Sequence, residues 1–234
     1  MKLYQFSAPK FFPNLSPFCA KLETYLRIAG LDYETISGFN LKKNPKKLMP
    51  FIELDGQIIT DSIFIIDELV RRYGDKVDNE LSIEQIASAQ AFQTMLENHF
   101  VKILVHYRWV DPDSREQFFA IAFANMPKFI RSFVGKLIGR KIAKMLYLEG
   151  TGRYSQEERL ILAKKDLDAV SYMLGDRPYF FGSKPTRIDA VIFAIIGNLI
   201  YCPIEGRLKD LALKYDNLVA HSQRMLQEYY SEIK

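Results

Sequence analysis

Short apolar runs of strand length alternate with longer amphipathic segments over the first third of the chain. These short runs predict strands at residues 3–6, 33–36, 50–54 and 57–60. Asp55-Gly56 separates the last two runs and is a strong signal for a two-residue hairpin turn. Helical periodicity appears at 17–29 and 62–73. The order strand, helix, strand, loop, hairpin, helix predicts a small α/β domain at residues 1–75.

The first predicted helix carries recognisable signals at both of its ends. Ser16 is a helix N-cap, Pro17 occupies the first helical position, and Gly30 follows the last turn. Its apolar positions share one face, which we expect to be buried: Cys19, Leu22, Leu26 and Ala29. This helix should therefore pack against the predicted sheet.

The second predicted helix begins directly after the hairpin. Asp61 and Ser62 supply its N-cap, and its free N–H groups and positive dipole make this end suited to bind an anionic group. Ile63, Ile66, Val70 and Tyr73 are spaced as one helical face. Met49 and Pro50 precede the first strand of the hairpin, so a peptide edge and a helix N-terminus are expected close together.

Beyond a polar connector at 74–81, the chain has the pattern of a helical domain at residues 82–234. Capping patterns mark helix starts: SIEQ at 82–85, SQEE at 155–158 and TRID at 186–189. The helix that follows TRID, at 190–200, is almost wholly apolar, so we expect it to lie in the centre of a bundle.

Composition narrows the class of protein without specifying its chemistry. The 234 residues are 48% hydrophobic and 26% charged, as in globular proteins, and a net charge of +4 is too small to indicate nucleic-acid binding. Cys19 and Cys202 are far apart and form no metal or disulfide pattern. The apolar run at 190–204 is too short to span a membrane. We therefore expect a cytoplasmic protein with no metal site, no nucleic-acid partner and no transmembrane segment.

Several segments together resemble a known family, the soluble glutathione S-transferases. They are PNLSPFCAKLETYLRIAG, MPFIELDGQIITDSIFIIDEL, EGTGRYSQEE and GSKPTRIDAVIF. The third segment is typical of the failed-axon-connections branch, which includes metaxin-like relatives. The resemblance implies an α/β thioredoxin-like N-terminal domain that binds glutathione, followed by an all-α C-terminal bundle.

The resemblance implies candidates for activating the glutathione thiol. Ser16 lies where Ser-type members keep the residue that contacts the sulfur, and a hydroxyl at a helix N-terminus favours a thiolate. The alternative is that Ser16 only caps its helix. Cys19 stands at the second cysteine position of a C-x-x-C motif, although its place on the apolar face favours a buried structural thiol. Tyr4 is a weaker candidate on the first strand.

The resemblance also implies residues for binding glutathione itself. Met49, followed by Pro50 with a cis peptide bond, should pair with the peptide backbone of glutathione. Asp61 and Ser62 should hold its γ-glutamyl end. Leu48 departs from the Lys or Gln that often meets the glycine carboxylate, and Lys46 and Lys47 are the possible substitutes.

A second substrate should bind against the helical domain. His106, Tyr107, Arg108 and Trp109 either line this pocket or form core between the domains. The expected function is a glutathione S-transferase-like protein that uses glutathione as cosubstrate, conjugates it to a hydrophobic electrophile or reduces peroxides, and forms a homodimer. The alternative is a non-catalytic binding or adaptor protein that keeps the fold, of the failed-axon-connections or metaxin type.

Overall fold

The computed structural model of the chain describes residues 1–38 and 41–233. Its N-terminal part forms the predicted α/β domain. The elements are β1 (Lys2–Gln5), α1 (Pro17–Ile28), β2 (Glu34–Ser37), β3 (Phe51–Leu54), β4 (Gln57–Thr60) and α2 (Ser62–Tyr73). The predicted strands and helices of this domain are all present. Their ends differ from the predicted ends by at most about one residue.

The four strands form one mixed sheet in the order β2-β1-β3-β4. β1 pairs parallel with β2 and antiparallel with β3, and β4 completes the antiparallel hairpin. At the hairpin turn, Asp55 has φ 50° and Gly56 has φ 77°. Positive φ at both central residues matches the right-handed twist of the strands, so the predicted hairpin is confirmed.

Packing confirms the predicted face of α1 and shows which residues of α2 are buried. Cys19, Leu22 and Leu26 are fully buried. The buried residues of α2 are Ser62, Ile65, Ile66 and Leu69. Of the four residues spaced as one face, Ile66 is buried and Val70 packs against the core, whereas Ile63 is 41% and Tyr73 46% exposed. Both stripes have helical spacing, and the buried one includes a short polar residue, Ser62, that a hydrophobic pattern assigns to solvent.

The rest of the chain is helical. Its helices are α3 (Ile83–Met95), α4 (Val101–Trp109), α5 (Pro112–Ala122), α6 (Lys128–Glu149), α7 (Gln156–Leu174), α8 (Arg187–Ile192), α9 (Asn198–Tyr201), α10 (Arg207–Ala212) and α11 (Asp216–Tyr229). π-helical turns at Leu96–Phe100 and Phe193–Gly197 join α3 to α4 and α8 to α9. None of the described helices is long and apolar enough to cross a membrane.

The continuous helix formed by α8, the second π turn and α9 is buried along almost its whole length, as predicted. Asp189 organises its start. One carboxylate oxygen accepts hydrogen bonds from the Thr186 backbone N–H and hydroxyl, at 2.8 and 2.7 Å. The other accepts the Phe180 N–H at 2.8 Å and lies 2.9 Å from His221 Nε2. The TRID pattern thus forms a capping box that also fixes a loop and α11.

A buried ion pair joins the two domains. Lys21 on α1 is 2% exposed, and its Nζ lies 2.6 Å from Glu97 Oε1 in the first π turn. Gln93 donates to the same carboxylate oxygen at 3.1 Å. Burial lowers the pKa of Lys21 even though Glu97 favours its charged form. The pair therefore depends on both partners remaining in place.

Removing one partner should destabilise the protein strongly. We expect Lys21→Met to lower the free energy of unfolding by about 3 kcal/mol or more, because the Glu97 carboxylate stays buried without its cation. The double variant Lys21→Met, Glu97→Met should recover most of that loss. Urea unfolding at pH 7 measures both. Lys184→Met, which breaks an exposed pair with Glu80, is the control and should change stability little. A double variant as unstable as the single one would contradict this account.

Candidate functional site

Ser16 lies at the N-terminus of α1, as predicted, and caps it. Its Oγ accepts a hydrogen bond from the Cys19 N–H at 3.4 Å, which is long. Its own N–H donates to Asn14 Oδ1 at 3.1 Å. The side chain is half-buried. The capping role is confirmed, and a hydroxyl so weakly engaged is able to turn towards a ligand at the helix N-terminus.

The loop before Ser16 is fixed from both domains. Asn14 is fully buried, and its Nδ2 donates to the Phe6 carbonyl at 2.7 Å. Asn198 Nδ2 donates to the Asn14 carbonyl at 2.9 Å and to the Leu15 carbonyl at 3.3 Å. Arg108 Nη1 also donates to the Leu15 carbonyl, at 2.9 Å. We call Arg108 and Asn198 the loop clamp.

The two side chains of the loop clamp also bind each other. Arg108 Nη2 donates to Asn198 Oδ1 at 2.6 Å and to the Asn198 carbonyl at 3.2 Å. Arg108 is 3% exposed and Asn198 is fully buried. Burial lowers the pKa of Arg108. Within residues 1–38 and 41–233, no salt bridge joins Arg108 to a carboxylate.

Sequence reasoning missed the loop clamp. Asn198 was visible as a polar residue inside an otherwise apolar helix, and that exception is the one local signal of its role. Arg108 was considered only within the group 106–109, as part of a pocket wall or of core between the domains. The contacts join residues 90 or more positions apart, and local periodicity carries no information about such pairs.

Cys19 lies inside the protein. It is fully buried, in one cluster with Tyr4, Met49 and Phe51. Burial raises the pKa of its thiol to about 12, although hydrogen bonds from Ser16 and Phe6 act in the opposite direction. A thiol with this pKa stays protonated at neutral pH and is a poor nucleophile. The geometry fits the buried structural alternative.

The Met49-Pro50 peptide bond is cis, as the resemblance implied. Both residues are buried and directly precede β3, whose pairing with β1 and β4 begins at Phe51. Asn44 shapes the approach: its Nδ2 donates to the Leu48 carbonyl at 2.5 Å and its Oδ1 accepts the Lys46 N–H at 2.8 Å. The Leu48 side chain is 60% exposed.

Asp61 rather than Ser62 is the N-cap of α2. Its Oδ1 accepts the Ile63 N–H at 3.1 Å, and its φ of 75° is unusual for a residue other than glycine. Such backbone strain is concentrated at ligand-binding sites. Ser62 is the first helical residue and is 2% exposed. Lys46 Nζ lies 4.8 Å from the centroid of the Phe64 ring, so its ammonium group is beside the first turn of α2.

Two observations link Met49 and Asp61 to the N-terminal half of α1. Cys19, one turn after Ser16, belongs to the same cluster as Met49. The Asp61 carboxylate is close enough to favour the charged form of Lys21. The structure thus brings a peptide edge and the N-termini of α1 and α2 to one region. N–H groups, hydroxyls and an ammonium group there suit a ligand with peptide and carboxylate groups.

The other candidates are engaged elsewhere. Tyr4 donates to Glu53 Oε2 at 2.8 Å. Tyr107 is buried and donates to the Ile204 carbonyl at 3.0 Å, while Trp109 packs against Phe118 with ring centroids 4.9 Å apart. His106 is buried, and burial lowers its pKa to about 4. Residues 106–109 therefore fit the core alternative rather than a pocket wall.

Two family models match the chain. The glutathione S-transferase N-terminal domain matches residues 17–114, and the glutathione S-transferase C-terminal domain matches residues 163–225. Between them they include α1, the hairpin, α2 and the buried central helix. The domain order is the one that the sequence segments indicated.

Curated relatives extend the match along almost the whole chain. Failed axon connections of Drosophila melanogaster is 38% identical over 95% of this chain, which spans only 56% of that protein. An isoprene-epoxide–glutathione S-transferase of a Rhodococcus species is 28% identical, covering 93% of this chain and 94% of the relative. Mouse metaxin-1 is 26% identical, covering 98% and 75%.

Solved structures share the fold at low sequence identity. The beta-etherase LigF of a Sphingobium species has a TM-score of 0.67 at 18% identity and covers 99% of this chain and 97% of that one. A glutathione S-transferase of Methylobacterium radiotolerans, in complex with glutathione sulfonate, has a TM-score of 0.62 at 16% identity, covering 100% and 94%. The expected fold class is confirmed.

Burial predicts that both cysteines are unreactive in the folded protein. Cys202 is also buried, and burial raises its pKa. We expect an aromatic disulfide reagent at pH 8 to label neither thiol in native buffer and both in denaturant, with a native rate lower by about a thousandfold or more. Cys19→Ala and Cys202→Ala identify any thiol that reacts. If the native wild type is labelled rapidly and Cys19→Ala is not, Cys19 is a reactive thiol and a candidate nucleophile again.

Proposed function

The chain belongs to the glutathione S-transferase superfamily, and we propose that it binds glutathione where the N-termini of α1 and α2 approach Met49. The observation that carries this proposal is the grouping of Ser16, Met49, Asp61 and Ser62 around one end of α1. Glutathione offers a peptide backbone, an α-amino group and two carboxylates. The site offers a matching group for each of them.

We assign each part of glutathione to a named group. The Met49 main chain pairs with the cysteinyl unit, beside the cis bond to Pro50. Asp61 binds the α-amino group, and Ser62 with the α2 N-terminus binds the α-carboxylate. Lys46, whose ammonium group lies beside the first turn of α2, meets the glycine carboxylate in place of a residue at position 48.

In the enzymatic form of this proposal, Ser16 activates the bound thiol. Its hydroxyl donates a hydrogen bond to the sulfur, and the α1 N-terminus adds a positive field, so that the thiolate predominates near neutral pH. The thiol proton passes to solvent, and the thiolate attacks an electrophilic carbon; with an epoxide, the new C–S bond forms as the ring C–O bond breaks, and the alkoxide takes a proton from water. Epoxides are the first class to test, because the Rhodococcus relative is named for one. Cys19 takes no part.

We also propose a cytoplasmic location, because free cysteines suit a reducing compartment.

A non-catalytic binding or adaptor protein is the second candidate. It is favoured by Leu48, which is 60% exposed and offers no polar group at the position where transferases often bind the glycine carboxylate. Similarity to failed axon connections and metaxin-1 fits this alternative as well. The two candidates differ in whether glutathione binds at all.

Calorimetric titration with glutathione tests the site. We expect binding by the wild type and an affinity about tenfold or more lower for Ser62→Ala, because a lost hydrogen bond to a charged group costs about 1.5–3 kcal/mol. Ser155→Ala is the matched control, since Ser155 caps α7 and its loss should affect stability without changing affinity.

Two outcomes would count against glutathione binding. One is the absence of both heat and thermal shift at about millimolar glutathione, which would favour the adaptor alternative. The other is an equal loss of affinity in Ser62→Ala and Ser155→Ala, which would indicate a general effect on folding instead of a local contact.

We also propose that the protein is a homodimer and that α6 lies in its interface. Phe129, Phe133 and Leu137 are spaced by four residues on α6 and are 76%, 70% and 47% exposed. This spacing places them on one face of the helix. An exposed apolar stripe of this kind is typical of an association surface.

Size-exclusion chromatography with light scattering tests the homodimer. The wild type should have twice the 27.2 kDa mass of one chain, and Phe133→Glu should shift the protein to the monomer, because a charge at a buried apolar interface is costly. Tyr172→Glu, at an 85% exposed position on α7, should leave the dimer intact. A monomeric wild type would rule out this assembly.

A further inference from the structure

The guanidinium of Arg108 is a buried charge that pairs with no carboxylate in residues 1–38 and 41–233. Its oxygen acceptors are neutral: the carbonyls of Leu15 and Asn198 and the Asn198 side chain. The Cys202 thiol also bonds to it. Arg108 Nε has no hydrogen-bond partner among the residues that the structure describes. Burying a cation in this way is expensive unless something compensates for it. The folded protein therefore keeps an uncompensated desolvation free energy at the Arg108 guanidinium.

The Arg108 guanidinium binds the peptide unit that leads into Ser16. The Leu15 carbonyl belongs to the Leu15–Ser16 peptide and accepts from both members of the loop clamp, at 2.9 and 3.3 Å. The N–H of the same peptide donates to Asn14 Oδ1. Both polar ends of this peptide are thus occupied by side chains, and Ser16 cannot shift without breaking these bonds.

Building on the proposed function, we propose that Arg108 is a positioning residue for the thiol site: held by Asn198, it fixes the Leu15–Ser16 peptide and supplies the positive charge that a glutathione thiolate at Ser16 balances. The buried cation and the bound anion then compensate each other. Arg108 acts through the peptide and through its field, without touching the sulfur.

The titratable neighbours of Arg108 do not neutralise its positive charge. Tyr107 and Cys202 are the titratable groups beside it, and burial raises the pKa of each, so both stay neutral. From α5, the Phe118 ring faces the guanidinium with its centroid 5.5 Å away. On the α1 side, Cys19 is neutral and Glu23 is the anion that acts on it.

The readout is the pKa of the bound glutathione thiol, followed by the ultraviolet absorbance of its thiolate as pH is varied. S-methylglutathione, which has no thiol, supplies the blank. We expect Arg108→Gln to raise this pKa by about one unit, the effect of one partly screened charge nearby. The thiolate fraction well below both pKa values then falls by about tenfold. Arg108→Lys keeps the charge and should stay closer to the wild type.

A second variant covers the case in which Arg108→Gln fails to fold. Asn198→Asp keeps an acceptor oxygen for Arg108 and places a carboxylate against the guanidinium, so the thiol pKa should rise by a similar amount. Arg159→Gln is the matched control. Arg159 is also buried, but it faces Asp111 at 3.8 Å and makes no bond to the loop. Its loss should leave the thiol pKa unchanged.

The outcomes separate this inference from the function on which it rests. Wild-type protein that binds no glutathione in the calorimeter would overturn the proposed function and this inference with it. Glutathione that binds with an unchanged thiol pKa in Arg108→Gln or Asn198→Asp would overturn the inference alone. Equal shifts in Arg108→Gln and Arg159→Gln would also overturn it, because the effect would then belong to any buried arginine.

Discussion

The buried carboxylate of Asp189 is the interaction on which the rest of the structure depends. Its four hydrogen-bond partners come from the start of α8, from the loop at Phe180 and from α11. A buried polar group is stable only when its hydrogen bonds are satisfied, and both oxygens of Asp189 are hydrogen-bonded. These bonds fix the direction of the central helix, and three hydrophobic clusters meet on that helix, including the one inside the N-terminal domain through Ala190.

The same helix connects the hydrogen bonds of Asp189 to the candidate site. After the π turn at Phe193–Gly197 it continues into α9, where Asn198 is the first residue. Asn198 then holds the loop ahead of Ser16. One element thus fixes the fold at one end and a candidate thiol site at the other. This arrangement explains why an almost wholly apolar helix carries an amide inside the protein.

Local sequence signals predicted the elements and their ends. The Asp55-Gly56 turn, the Ser16 cap and the three capping boxes depend on residues close together in the chain, so their chemistry is visible in short windows. The buried face of α2 was not predictable in this way, since two stripes had the same spacing. Within the site, Ser16 and the start of α2 were predicted. The Lys21–Glu97 pair and the contacts of Arg108 were not, because distant residues meet only in the folded chain.

The loop clamp has a thermodynamic consequence for the whole molecule. Arg108 and Asn198 belong to the helical domain, whereas the peptide they bind belongs to the thioredoxin-like domain. A ligand that binds best to the clamped form of Ser16 therefore also binds best to the docked form of the two domains. By linkage, the free energy with which docking strengthens binding equals that with which binding strengthens docking. Under the proposed function, the docking of the two domains is therefore a second reporter of whether a ligand occupies the site at Ser16.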